Sequence, residues 1–351
     1  MKKLKVGVIG LNNIVRLHMP GWHLSPYTEV FAAADIDEDI LQKWGQNNNI
    51  ENLYSNPLDL ISNPEIDIID ICTPNNFHCE LVIKSLEAGK HVLCEKPLAP
   101  TAEEIQKMIE ARDKSSKKLM CAQHFRFQNE SQSISNEIKS IYPVYHARSW
   151  MLRRNFFNVT KGFLQKKESG GGPCIDIGVH VLDLTLLFMG HPKPISVTGV
   201  SKTELAKEDN AYSPMGEYDK SSMDVEDFAA AFVRFENGAS LIFEVSWMLH
   251  HKMPVDDIED MQIWLYGKNG GMHWPSCEKL TTNAKEKKEI NTVYKINTKN
   301  VIEPHALECM EFANAVFNDI KVPIPAEHSY QVMQILNAIY ESQKLGKEIL
   351  L

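Results

Sequence analysis

No two of the seven cysteines stand in a C-x-x-C spacing, and the odd set (72, 79, 94, 121, 174, 277 and 309) is scattered along the chain. That pattern excludes a zinc framework and fits reduced cytosolic thiols. Basic charge is in deficit too: 37 Lys and Arg face 46 Asp and Glu, for a net charge of −9. A broad nucleic-acid footprint needs the opposite balance. No run approaches the length of a transmembrane span. The apolar stretch after Lys2-Lys3 is too short for a signal h-region and reads as a strand. The expectation is a cytoplasmic protein with neither a nucleic-acid nor a membrane partner. With 43% apolar and 24% charged residues the composition is that of a globular protein, and 351 residues leave room for two domains.

Glycine is also missing where it would be most informative. Lys5 to Ile9 is a short Val/Ile run ending at Gly10, followed by a helical segment toward Trp22 and by a second apolar run, Val30 to Ala34, that ends at Asp35. This is the outline of a βαβ dinucleotide unit, and Asp35 lies 25 positions after Gly10, near the spacing of about 20 for a ribose-binding acid. Yet Asn12 and Val15 occupy the second and third fingerprint positions. Asn tolerates a positive φ, so the turn survives on Gly10, Asn12, Asn13 and Ile14. The Asp35 carboxylate accepts from ribose hydroxyls and repels a 2′-phosphate, which favours NAD over NADP.

Strand and helix patterns keep alternating. Helices are expected over 39–47, 58–61, up to Gly89, and 102–115, with strands at 53–54, 66–72, 90–94 and 118–122. Such repeats build a parallel sheet wound on both faces, with ligands at the carboxyl ends of its strands. Gly10, Asp35, Thr73-Pro74-Asn75, Glu95-Lys96-Pro97 and Gln123-His124 all fall at such ends. Beyond Ala122 the pattern changes to strands at 145–151, 195–200, 228–235, 239–247 and 261–266, closed by helices at 305–316 and 329–345. This is an α+β second domain. The expected division is 1–122 for dinucleotide binding and 123–351 for substrate binding and oligomerisation. Two polar stretches, 202–225 and 284–299, read as mobile surface excursions; the first is also a candidate lid.

A third anomaly lies in the second domain. Gly170-Gly171-Gly172-Pro173 leads into an apolar run that reads as a buried helix from near Asp176 to Gly190. Asp176, His180 and Asp183 then share one helical face. Buried Asp and His need partners. Either Asp176 is an N-cap with the other two bonded to backbone, or the stripe is catalytic.

Three motifs occur in order: C-T-P-N-x-x-H (Cys72 to His78), E-K-P (Glu95 to Pro97) and G-G-G-x-x-x-D-x-G-x-H-x-x-D (Gly170 to Asp183). Together with 227–239 and Tyr266-Gly267-Lys268-Asn269-Gly270, they make the chain resemble the Gfo/Idh/MocA family of NAD(P)-dependent oxidoreductases over almost its whole length. The resemblance implies a Rossmann domain followed by a domain with a large, mostly antiparallel open sheet, substrate bound between the two, and a homodimer or homotetramer formed through the exposed sheet face. It implies a cis peptide before Pro97. It maps the catalytic lysine onto Lys96 and the Asp and His of D-x-G-x-H onto Asp176 and His180. Thr73, Pro74, Asn75, His78 and Glu95 join Gly10, Asp35 and Gln123 around the cofactor, while Trp150 and Arg153 are further substrate-side candidates.

The activity implied is hydride transfer between NAD and a secondary alcohol of a sugar, sugar derivative or cyclitol. His180 acts as general base, Asp176 orients it, and Lys96 donates to the reacting oxygen. No metal is expected. Two alternatives stand beside this: a dinucleotide-binding regulator without turnover, and a metal-dependent sugar isomerase or dehydratase using Asp176, His180 and Asp183 as ligands.

Overall fold

The computed structural model describes residues 2–296 and 301–351. In the first part, β1 (Leu4–Ile9), β2 (Thr28–Ala34), β3 (Asn52–Tyr54), β4 (Ile68–Ile71), β5 (His91–Cys94) and β6 (Leu119–Cys121) alternate with α1 (Val15–Leu24), α2 (Glu38–Asn48), α3 (Pro57–Ser62), α4 (His78–Glu87) and α5 (Ala102–Ser115). The strands form one parallel sheet in the order β3-β2-β1-β4-β5-β6. Strand order reverses between β1 and β4, so their carboxyl ends flank the topological switch point where such sheets bind ligands. Ile68, Ile69 and Ile71 make β4 apolar on both faces, as a central parallel strand requires, but Asp70 between them is fully buried as well.

In the second part come α6 (Asn129–Glu137), β7 (Val144–Arg153), α7 (Lys166–Ser169), a π turn over Cys174–Gly178, α8 (Val179–Met189), β8 (Pro194–Lys202), β9 (Phe228–Phe235), β10 (Ser240–Ser246), β11 (Glu259–Gly267), β12 (Gly270–Trp274), β13 (Glu278–Asn283) and β14 (Lys288–Val293). The chain closes with α9 (Pro304–Phe317), α10 (Ala326–Leu345) and β15 (Ile349–Leu350). Nine strands form a mixed sheet in the order β14-β13-β12-β11-β7-β10-β9-β8-β15, antiparallel except where β7 meets β10. One face is buried and carries Leu241, Phe243 and Val245 of β10. On the other, Val200, Ala230, Glu244, Trp150 and Gln262 stand in one cross-strand row.

Four expectations change. The chain divides into Met1–Phe127 with Val301–Tyr330, and Gln128–Asn300 with Gln331–Leu351. A single cut after 122 therefore misses the return of α9, whose partner is α1: Gly21 lies so close to Ala306 that a β-carbon would collide with it. The 284–299 stretch is not one mobile excursion, because 288–293 is β14, hydrogen-bonded to β13; residues 297–299 lie outside the described residues. Residues 203–225 carry no long element but are tied down. The Asp227 carboxylate accepts from the amides of Glu204, Leu205 and Ala206, and Met223 and Val225 are buried. Finally, 166–189 is long and apolar enough to cross a membrane, contrary to the expectation that no segment is. Its most apolar window is 89% buried within the protein, as in the core helix of a globular unit.

Candidate active site

In the first unit, the turn after β1 rests on one glycine. Gly10 has φ +90°, and a β-carbon there would lie 2.7 Å from the Cys72 carbonyl oxygen. Asn12 is not among the residues with positive φ, so the missing second glycine costs the turn nothing in backbone strain. Asn12, Asn13 and Ile14 lead into α1, which has no side-chain cap and no acid in its first turn, leaving amide donors for an anion. Asp35 follows β2. One carboxylate oxygen accepts from the Leu11 amide at 2.8 Å and the other from the Asp37 amide at 3.0 Å. It braces the glycine turn and retains lone pairs for a ribose.

Thr73 lies just beyond β4, and its buried hydroxyl has no hydrogen-bond partner. A buried donor of this kind needs a reason. A bound dinucleotide supplies one, and with the Gly10 cradle and the uncapped α1 the residues fit that cofactor. Pro74 and Asn75 open the next turn. His78 takes a different role from the one expected of it. It is fully buried, with Nδ1 2.8 Å from the Pro97 carbonyl and Nε2 2.8 Å from that of Thr73, and burial pulls its pKa down. It braces two loops from behind, with no ring nitrogen left for a cofactor.

Lys96 follows β5, half-buried, and the Lys96–Pro97 peptide is cis as the motif implied. Glu95 beside it is buried. Its Oε2 accepts from the Lys96 amide at 3.0 Å and its Oε1 meets His18 Nε2 at 2.8 Å. It serves this internal network, where a contact to the cofactor was expected. Gln123 is buried just after β6. Apart from His124, the sequence reading passed over the rest of the cluster. His18 Nδ1 lies 3.1 Å from both oxygens of Asp70, Trp22 Nε1 donates to Asp70 at 2.7 Å, and Glu308 approaches His18 at 3.7 Å. His124 and His305 stack with ring centroids 3.8 Å apart. The signal available was four charged or polar residues inside apolar runs: His18, Asp70, His305 and Glu308.

In the second unit, Asp176 lies in the π turn and is no N-cap; its amide donates to the Gly172 carbonyl. π turns recur at functional sites because they displace side chains from the α register. Its Oδ2 accepts from Trp247 Nε1 at 3.0 Å, and Arg153 stands 3.7 Å away. Arg153 is held in turn by Glu259 at 2.7 Å. Trp247 is fully buried between Phe157 and Phe163. His180 and Asp183 are both buried on α8.

The glycine run lets the protein's own atoms in. A β-carbon on Gly171 would strike the Tyr340 hydroxyl, and one on Gly172 the Glu226 carbonyl. The Glu226 carboxylate accepts from the Gly172 and Cys174 amides and the Tyr340 hydroxyl at 2.9–3.1 Å, fixing the start of the π turn. Trp150 does not join this group. It lies on the opposite sheet face from Phe243 and Val245, which flank Gly178, because strand neighbours alternate. Its indole is committed to Asp260 at 2.9 Å.

Among the described residues, the groups close enough to share a metal ion are His18–Asp70–Cys72 and His18–Glu95–Glu308, all in the first unit. The alternative metal set of Asp176, His180 and Asp183 is not among them.

Comparison with known proteins completes the picture. A family model described as an oxidoreductase family with an NAD-binding Rossmann fold matches residues 4–123, and the C-terminal domain model of the same family matches 141–273. The D-glucoside 3-dehydrogenase of Escherichia coli is 27% identical over 351 residues, covering 99% of this chain and 97% of its own. The myo-inositol 2-dehydrogenase of Thermotoga maritima is 28% identical over 187 residues, 53% of this chain and 55% of its own. Among solved structures, a levoglucosan dehydrogenase in complex with NADH and levoglucosan has a TM-score of 0.83 at 23% identity, covering 99% of both chains.

Proposed function

Because the chain belongs to the Gfo/Idh/MocA family of oxidoreductases, whose Rossmann fold binds NAD, we propose that it oxidises a ring or chain secondary alcohol of a sugar, sugar derivative or cyclitol to the ketone. The observation that carries this reading is the presence of Lys96 after β5 and of Asp176 and His180 on the π turn and α8, in a chain that matches a sugar dehydrogenase over 99% of its length. Bound NAD supplies the hydride acceptor.

His180 takes the hydroxyl proton in oxidation and returns it in reduction. Asp176, held by Trp247 and Arg153, orients the imidazole or a neighbouring substrate hydroxyl. The Lys96 ammonium donates to the reacting oxygen and stabilises alkoxide charge as it develops. Gly10, the start of α1 and Thr73-Pro74-Asn75 hold the phosphates and riboses, and Asp35 selects NAD over NADP. Seven free cysteines fit a cytoplasmic setting. Exposed Ile242 and Val200 on the open sheet face fit association into a dimer or tetramer.

The test is absorbance at 340 nm across a panel of glucosides, anhydrosugars, aldoses and inositols, with NAD and NADP in parallel. Turnover of at least one member, faster with NAD, is expected. Tight dinucleotide binding with no turnover across the panel would favour the regulator instead.

A further inference from the structure

We propose that His18 is a positioning residue: a doubly protonated imidazole strung between Asp70 and Glu95 that fixes the Glu95 carboxylate and, through it, the backbone amide of Lys96. The inference rests on the reading of Lys96 as catalytic.

Geometry carries the argument. The His18 side chain is fully buried, and each ring nitrogen faces a carboxylate, Nδ1 to Asp70 at 3.1 Å and Nε2 to Glu95 at 2.8 Å. A neutral imidazole has one N–H and one lone pair. In a dry interior, that lone pair would be set against carboxylate oxygens, a repulsion that nothing nearby offsets. Two N–H donors satisfy both contacts. The chain then runs without a break from the Trp22 indole to Asp70, His18, Glu95 and the Lys96 amide. It joins α1, β4 and β5 behind the loop that presents Lys96. Without the ring, Glu95 would be a buried carboxylate with one backbone donor, free to protonate or turn away.

The neighbours agree. α9 brings His305, with its ring centroid 6.5 Å from that of His18, and Glu308 and Cys309; β4 brings Asp70, with Cys72 just after it; Glu95 and Lys96 follow β5; His124 follows β6. Burial is the largest influence on all three histidines and lowers each one. His124 is pushed down to about 3 and His305 to about 4, whereas at His18 burial is opposed by Cys309, by the charge and hydrogen bond of Asp70 and by Cys72, and the ring is held well above its ordinary value. Of the three, His18 is the one that carries charge. The same geometry argues for a proton over a metal ion within His18–Glu95–Glu308, since a ring donating from both nitrogens has no lone pair for a cation.

The test is nitrogen-15 NMR of the full chain with labelled histidine, assigned by His18→Gln, alongside kinetics of His18→Ala, His18→Gln and Lys96→Ala. Expected are two protonated ring-nitrogen signals for His18 from pH 6 to 8.5. His18→Ala should lower kcat by about 10- to 100-fold with KM and NADH affinity within about 3-fold, and Gln should recover part of the loss. If Ala does not fold, the Gln variant and the spectrum still decide. An unprotonated ring-nitrogen signal at pH 7.5 overturns the inference. So does stoichiometric zinc or manganese in purified protein, or full kcat in His18→Ala while Lys96→Ala is inactive. Full activity in Lys96→Ala instead removes the proposed role of Lys96, while the NMR signature, read without substrate, still decides the bridge.

Discussion

The two units hold their proposed catalytic groups by opposite means. Behind Lys96 lies a network of ionisable side chains, Asp70, His18, Glu95 and Glu308, closed off from solvent. Behind Asp176 stand the Trp247 indole and the Arg153–Glu259 pair, and the turn that carries it is fixed by neutral backbone and phenol donors, the Gly172 and Cys174 amides and Tyr340, on the Glu226 carboxylate. The difference follows from the elements. Lys96 projects from a loop, where little except a paired charge fixes a peptide. Asp176 and His180 sit on a turn and a helix, whose shape is set by packing and by the acceptor that receives its free amides. A loop site should therefore fail mainly in catalysis when its backing is altered, and a helix site should fail mainly in stability when the acceptor that anchors its turn is removed.

The largest effect tests the premise of that contrast. Lys96→Ala and His180→Ala should each lower kcat on the order of 10²–10⁴-fold, with NADH binding and melting temperature near wild type. Wild-type turnover in either variant removes that residue from the mechanism. Next comes the anchor of the second unit. Burial raises the pKa of Glu226, opposed by the amide and phenol donors around it. Glu226→Ala removes the acceptor of three buried donors and should cost about 2–4 kcal/mol in urea unfolding. A loss below about 0.5 kcal/mol would show that packing alone shapes the turn. Third is Trp247→Phe, which keeps a ring between Phe157 and Phe163 but takes the N–H from Asp176. A roughly tenfold fall in kcat is expected, the size of one hydrogen bond to a charged group. An unchanged kcat would mean that Arg153 orients Asp176 by itself.

The sequence made one half of this contrast easier to see than the other. The parallel sheet was legible because buried strands read as short continuous apolar runs, and α5 spans its expected 102–115, its start capped by Thr101 and Glu104. Lys96, Asp176 and His180 were legible because they stand beside Gly and Pro, which punctuate a sequence. His18 and Glu308 were not. Each lies alone in a helix 290 positions from the other, and only the return of α9 onto α1 brings them together. The π turn was hidden because the segment is apolar on nearly every side, so there is no one-sided periodicity for an extra residue to shift. Trp150 and His78 were assigned by neighbourhood in sequence, whereas strand alternation and the two carbonyls around the His78 ring decide where those side chains go. β14 was missed because it is exposed on both faces and has no apolar alternation to read.

The smallest effect sharpens the comparison most, because it asks how charge is shared within the first unit. Glu308 is fully buried, and burial, with repulsion from Glu95 and Asp70, raises its pKa well above the ordinary carboxyl value; His18 and the Gln123 amide pull the other way. The sign follows from linkage. Below the unfolded-state value near 4.5, folded and unfolded chains both hold the proton and stability is at its full value. As pH rises, the unfolded chain gives up the proton first, so stability falls until the folded-state pKa is passed. Glu308→Gln is neutral at every pH and escapes that loss. The two proteins should melt close together at pH 4.5, and the variant should be higher by roughly 2–5 °C at pH 8. Other titrating groups are common to both proteins and cancel in the difference. If Glu308 is ionised instead, it is a third anion paired with His18, beside Asp70 and Glu95, and the glutamine variant melts lower at pH 8. The direction of the difference therefore distinguishes a His18 charge shared by Asp70 and Glu95 alone from one shared by three carboxylates.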